Sequence, residues 1–462
     1  MIGSRGHPTI LTPALDQLIS NGVAFTNAYS RTPMCIPARR EIMTGTSART
    51  HGDRDFDERG EMPALPTLAQ TFRDNGYQAH AVGKMHAYPQ RDRLGFDDIL
   101  LDEEGRHHLG MPKDDYEMFL QERRYGGQEY VHGSTNGDFD VRAWHLPEEL
   151  HRTNWTVREM SKFIARRDET KPGFWYMSFS APHPPLTPPK NYLDMYLDQE
   201  IDEPVIGEWA RHPENFPHAL RNRPHGLATY SNNAIRLARA GYYALATQVD
   251  HQIRLVIGLL REEGLLDNTI VMFTTDHGEM LGNHGLWGKG NLHEFSVNIP
   301  MIVMPPANRP DLGKGRLDDR LAVQADIMPT LLELCDIPVP ETVEGLSLIG
   351  DERRDHVYGE IWEHDNATRM VRDERHKLIY YPVGNRFQMF DLRGDPHEMN
   401  DLYDDARYSD IQKNLTKLLI DNLYGQDIEW LDNGRLIGLP DPEPVPHPNP
   451  RRGFGTARGW RF

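Results

Sequence analysis

Residues 77–86 read YQAHAVGKMH, a short β-rich run closed by Gly83 and followed at once by Lys84 and His86. The same order recurs twice. FWYMSF (174–179) runs into SAPHPP, which carries His183, and TIVMFT (269–274) runs into TDHGE, which carries Asp276 and His277. Short apolar runs bounded by Gly, Pro or Asp read as strands. VAFTNAYS (23–30) and MIVM (301–304) read the same way. Between them lie helical patterns. ALDQLISNG (14–22) stops at Asn21-Gly22, and TLAQTFRDNG, with Pro66 suited to its first turn, stops at Asn75-Gly76. A long helix is predicted from about Asn233 to about Glu263. This alternation predicts an α/β fold, a large mixed, mostly parallel sheet sandwiched by helices. In such a sheet ligands bind beyond the strand carboxyl ends. Lys84, His86, His183, Asp276 and His277 all arrive there, from three strands.

Further along, the pattern changes. From about Leu348, HKLIYYPVG and RFQMFDL read as adjacent antiparallel strands, followed by a helix through IQKNLTKLLIDNLY. The division expected is a catalytic α/β domain over 1–347, a smaller α+β subdomain over 348–436, and an extended Pro/Arg-rich tail over 437–462. In that tail proline recurs at 440, 442, 444, 446, 448 and 450, which excludes helix and sheet.

Composition narrows the function classes. A length of 462 residues fits two to four domains, or one large α/β domain with an appendage. With 16 Phe, 18 Tyr and 8 Trp the chain can fill a large core, which excludes wholesale disorder. No run approaches the roughly 18 consecutive apolar residues of a membrane helix. With 51 Lys and Arg against 69 Asp and Glu, the formal charge of −18 argues against a nucleic-acid partner. Two cysteines, Cys35 and Cys335, make no disulfide scaffold. The opening MIGSRGHPTI has no apolar signal core, which leans towards the cytoplasm.

Cys35 stands in RTPMCIPARREIMTG (31–45). Pro37 suits a first helical turn and Gly45 a helix stop, so Cys35 falls at or just before a helix N-terminus. The partial positive charge there, with Arg39 one turn on, would lower a thiol pKa. Cys335, in TLLELCDIP, reads instead as a small buried hydrophobe.

The segment CIPARREIMTG resembles the signature of the sulfatases, Cys-x-Pro/Ala-x-Arg followed by Thr-Gly, within the alkaline-phosphatase superfamily. TPALDQLISNGVAFTNAYS, GKMH, APHPP, TTDHGEMLGNHGLWGKG, DIMPTLLEL and MFDLRGDPHEMNDL extend the resemblance from about Thr12 to about Leu402. It implies that Cys35 is oxidised to formylglycine by a formylglycine-generating enzyme, with Pro37 and Arg39 as recognition residues. The aldehyde hydrate would attack sulfur, and sulfate would leave by C–O cleavage as the aldehyde reforms. In that scheme Arg39 holds the hydrate anion, Lys84 clamps the sulfate and His86 is the base that collapses the hemiacetal. His183 and Lys289 bind the sulfate and assist the leaving oxygen. Asp276, His277 and the group derived from Cys35 hold a divalent metal that lowers the hydrate pKa. Calcium is the first choice, with Mn²⁺ or Zn²⁺ suited to the imidazole.

Two departures from the family pattern matter. Family members begin with a core strand ending in two adjacent metal-binding acids, and this sequence starts at the loop after them, Asp16 falling in the next helix. A hard cation then lacks part of its usual 6–8 oxygen ligands, and the sheet is left with unpaired edges. His277 also stands where many sulfatases carry Asn, and an Asp-His pair resembles phosphonate monoester hydrolases. Three readings follow: a sulfatase, a phosphonate monoester or phosphodiester hydrolase on the same scaffold, and a catalytically silent relative. An unmodified Cys35–His86 hydrolase leaves Lys84, Lys289 and Asp276 without a purpose. His107, His108, Arg123, Arg124, Trp144, His145 and Trp155 lie in the insertion between YQAHAV and FWYMSF, where specificity is commonly carried. Indole stacking there would suit a sulfated glycan, and the alternative is that both Trp residues pack the insertion onto the domain.

Overall fold

The computed structural model describes residues 1–104, 106, 109–221, 230–309 and 313–442. His107 and His108 lie outside them, as does the tail from 443 onward. The N-terminal region carries seven strands: β1 (Val23–Tyr29), β2 (Gln78–Gly83), β3 (Asp98–Leu101), β4 (Gly173–Ser178), β5 (Val271–Thr274), β6 (Met301–Met304) and β7 (Arg316–Val323). Its principal helices are α1 (Pro13–Asn21), α2 (Cys35–Thr44), α3 (Leu68–Asp74), α4 (Asp115–Glu122), α5 (Arg152–Ala165), α6 (Lys190–Leu197), α7 (Asn232–Glu262) and α8 (Ile327–Leu334).

Local chemistry sets these boundaries. Thr67 caps α3 by accepting a hydrogen bond from Gln70 N, so Pro66 lies before the helix and not in its first turn, as the sequence had suggested. The α1 stop at Gly22 is a matter of space: a Cβ there would sit 2.3 Å from Val303 O on β6. The long helix α7, capped by Ser231, buries Tyr243, Leu245, Val249 and Ile253 in one cluster with Leu15, Leu18 and Tyr196 from α1 and α6.

The expected single sheet is divided in two. β3-β2-β4 is wholly parallel, whereas in β5-β6-β1-β7 only β1 and β7 run parallel and β6 is antiparallel to both neighbours. β4 and β5 are therefore both edge strands, and both line one cavity of about 1440 Å³ walled on another side by α7. Packing records the difference. Ala79, Ala81 and Val82 on central β2 are fully buried, while Phe174, Trp175, Tyr176 and Met177 on β4 stay partly exposed.

The C-terminal region is an antiparallel meander of β8 (Val357–Ile361), β9 (Thr368–Arg372), β10 (His376–Tyr381) and β11 (Arg386–Asp391), with α9 (Ser409–Asn422) behind it. Strand period 2 splits its two faces. Leu378 and Tyr380 pack with Leu415 and Leu419 of α9, and Ile379 and Tyr381 pack with Met34 and Leu292 beside the reactive loops. Among the described residues no helix is long and apolar enough to cross a membrane.

Candidate active site

Cys35 is the first residue of α2, and Gly45 ends the helix at φ 66. The side chain is 2 % exposed, with Sγ 3.1 Å from His277 Nε2. Burial alone would raise the thiol pKa, but Lys289, Lys84 and His277 outweigh it and bring it down to about 6. Its partner His277 donates from Nδ1 to Gly278 O, which turns Nε2 towards Cys35 and Asp276. Gly278 is required there, since a Cβ would fall 2.1 Å from Phe295 O.

Arg39, one turn along α2, donates to Asp276 Oδ2 at 3.0 Å through Nε. Its Nη1 donates to Lys84 O and to Ser178 Oγ, tying α2 to the ends of β2 and β4. Asp276 would be raised by burial, but His277, Arg39, Lys84 and Lys289 hold it well below the usual carboxylate range. Ser30 Oγ and Gln324 Nε2 both donate to Asp276 O and fix this turn.

Lys84 follows Gly83, where a Cβ would lie 1.8 Å from Ser178 O, so only glycine lets β2 end so close to β4. Lys84 is 2 % exposed and its Nζ lies 2.9 Å from Glu104 Oε2. His86 sits at φ 55, and its buried Nδ1 has no partner among the described residues. Burial, then Lys84, Arg106 and Arg39, hold His86 well below its ordinary value and keep the imidazole neutral. His183 donates from Nδ1 to Pro184 O at 2.7 Å and accepts at Nε2 from Lys289 Nζ at 2.6 Å. Burial, Lys289 and Lys84 hold it neutral as well. Gly290, beside Lys289, donates to Pro33 O and accepts from Trp362 Nε1, which joins the Lys289 loop to the Cys35 loop and to the C-terminal sheet.

The residues singled out in the sequence thus converge. Cys35, Arg39, Lys84, Asp276 and His277 interact directly, His183 and Lys289 form a pair beside Lys84, and His86 lies in the same cationic field. Arg39, Lys84, His183, Asp276 and His277 line one end of the large cavity. Such preorganised donors are what a transferring anionic group requires.

The indoles of the insertion do not join this site. Trp155 is 2 % exposed in α5, edge-on to Tyr116, and Trp144 donates from Nε1 to Pro147 O. Both are packing residues, the second of the two alternatives the sequence left open, and no stacking platform for a sugar ring is built from them. His145 bonds Gln128 O, and Arg123 and Arg124 are exposed. The sequence reading missed Asp102, Glu103 and Glu104, three consecutive buried acids directly after β3 that reach the Lys84–His86 and His183 loops. Their signal in the sequence is the run of three acids itself, since the four-residue strand before them was not singled out.

The side chains of Cys35, Asp276 and His277 offer a donor set for a divalent cation. Ligand atoms of Cys35, Asp276 and His277 all lie within 4.8 Å of one another. One ion can bridge that span, and a carboxylate with an imidazole suits a divalent cation.

Residues 1–337 match the sulfatase family, and residues 282–424 match the C-terminal region of N-sulphoglucosamine sulphohydrolase. An arylsulfatase of Clostridium perfringens is 34 % identical over 458 residues, covering 94 % of each chain. Among solved structures, the phosphonate monoester hydrolase of Agrobacterium radiobacter aligns with a TM-score of 0.77 at 22 % identity, covering 95 % of this chain and 96 % of that one. A protein solved in complex with its substrate D-glucosamine-2-N,6-O-disulfate aligns at 0.73 with 20 % identity, covering 94 % and 96 %. These two likenesses concern the fold.

Proposed function

The chain belongs to the sulfatase family and is a sulfuric ester hydrolase, and from that premise we propose that Cys35 is the residue matured to formylglycine. The observation that carries this reading is the placement of Cys35: first in α2, buried, and in the combined field of Lys84, Lys289 and His277. When formed, a formylglycine hydrate supplies an oxygen nucleophile whose second hydroxyl allows release by C–O cleavage. Asp276, His277 and the side chain at position 35 would hold a divalent cation, which supplies Lewis acidity when bound. Calcium is the first assignment, with Mn²⁺ and Zn²⁺ as alternatives favoured by the imidazole donor.

The remaining roles belong to this chain's own groups. Lys84 and Lys289 face the negative charge that builds on the transferring group. His86, neutral and with Nδ1 unengaged, takes the proton at the release step. The Lys289 Nζ–His183 Nε2 pair shares one proton and delivers it to the leaving oxygen. Arg39 orients Asp276 and the start of α2. The substrate proposed is a sulfate monoester of an aryl alcohol or a sugar, the latter supported by the sulfated glucosamine named for the structural neighbour. A formylglycine-generating enzyme is the proposed maturation partner.

The test is the mass of peptide 32–39 from protein made alongside such an enzyme, read together with turnover of p-nitrophenyl sulfate. The expected result is an aldehyde in place of the Cys35 thiol, with turnover proportional to the converted fraction. Full turnover by protein carrying only the unmodified thiol would overturn the reading.

A further inference from the structure

The acids after β3 each hold a different part of the site. Asp102 accepts from Ser180 Oγ at 2.9 Å, and Glu103 accepts from the backbone N–H of Met85 and His86 at 2.7 and 2.9 Å. Glu104 reaches the reactive side chains themselves. Its Oε2 lies 2.9 Å from Lys84 Nζ and its Oε1 lies 3.7 Å from His183 Nδ1. The residue is 6 % exposed and sits at φ 57, a left-handed conformation that glutamate adopts only under restraint. The restraint is visible: Tyr130 Oη and Asn136 Nδ2 both donate to Glu104 O.

A buried carboxylate directly behind an anion pocket opposes part of the attraction the pocket is built to provide. We propose that Glu104 is a specificity-determining residue that tunes the pocket to esters carrying one negative charge, sulfate or phosphonate monoesters, and disfavours phosphate monoesters, which carry two. This rests on the sulfatase reading, which places the transferring group against Lys84 and His183. Specificity often depends on such a repulsive element as much as on the attractive ones. Glu104 offsets the charge of Lys84, so the second charge of a phosphate monoester meets a weaker net attraction. A bound cation would add the same charge for every substrate and leave the contrast in place. Across several ångströms of screened protein interior, one unit charge corresponds to a change on the order of tenfold or more.

The experiment compares matured wild type, Glu104→Gln and Glu104→Asp with p-nitrophenyl sulfate, p-nitrophenyl phosphate and p-nitrophenyl phenylphosphonate at pH 8. Glu104→Gln is expected to raise the phosphate-to-sulfate ratio of kcat/KM at least about tenfold. Glu104→Asp, which keeps the charge, should leave that ratio near wild type while lowering both rates. A merely structural role would lower both substrates together, and an unchanged ratio in Glu104→Gln overturns the proposal. Should Glu104→Gln fail to fold, the wild type still decides. Phosphonate turnover exceeding phosphate turnover supports the proposal, and the reverse overturns it. If wild type turns over the phosphonate but no sulfate, the sulfatase reading alone fails and the phosphonate-to-phosphate ratio still judges Glu104.

Discussion

The reactive pocket has two walls made in opposite ways. Its front gathers Cys35 and Arg39 from the start of α2 and Lys84, Asp276 and Lys289 from three separate loops, and it is cationic overall. Its rear is one contiguous run, Asp102-Glu103-Glu104, acidic and buried, that binds the front from behind. The front presents groups to a ligand. The rear satisfies the buried cation Lys84 and the backbone N–H groups of Met85 and His86, which would otherwise be costly to bury. The contrast teaches that charge at such a site is set by two opposed layers, and that the layer touching no substrate still limits what the other can attract.

The division of labour can be broken from either side. The largest effect is expected at the front: Cys35→Ala should cut turnover of p-nitrophenyl sulfate on the order of 10³-fold or more while the circular-dichroism melt stays near wild type. Wild-type rates in that variant would end the formylglycine mechanism for this protein. The rear should move stability instead. Burial would raise the Glu104 pKa, but Lys84, His183 and Arg152 bring it down to about 2. The folded value thus lies below the unfolded one, about 4.3. The stabilisation is fully present above pH 4.5 and is lost as pH falls towards 2, amounting to on the order of 3 kcal/mol. Urea unfolding of wild type against Glu104→Gln should show a stability gap that narrows from pH 6 to pH 3. A gap independent of pH would remove the Lys84–Glu104 pair as a source of stability. The smallest of the three is Lys289→Ala, expected to lower kcat/KM for the aryl sulfate by about tenfold to a hundredfold with little change in Tm. A drop in Tm with kcat/KM unchanged would make Lys289 a structural residue.

Much of this was legible from residue order alone. Periodicity located β1, β2, β4, β5 and β6, the long helix α7 and the C-terminal hairpin β10–β11 to within a few residues, because the strands are short β-rich runs between turn residues and α7 repeats its apolar residues at helical spacing. The helix start at Cys35 followed from Pro37 and Gly45. β3, β7, β8 and β9 were not singled out; β3 is only four residues long, and β7 reads RLDDRLAV with its charges on an edge. For the tryptophans of the insertion the sequence left platform and packing both open, and the structure gives packing. Composition marks Trp144 and Trp155 as candidate platforms, yet which face of an indole is free depends on neighbours such as Tyr116 and Pro147.

By itself, then, the sequence determined the α/β class and the family and picked out the side chains that converge on the candidate site, since these rest on local periodicity and on motif spacing along the chain. Unpaired sheet edges were already expected from the sequence, but only the tertiary structure decided that they are β4 and β5, on two separate sheets and lining one cavity, and that Glu104 stands behind Lys84 and His183. Both are matters of through-space proximity. Strand pairing and the balance of buried charge depend on distances between segments far apart in the chain, and no local pattern encodes those distances.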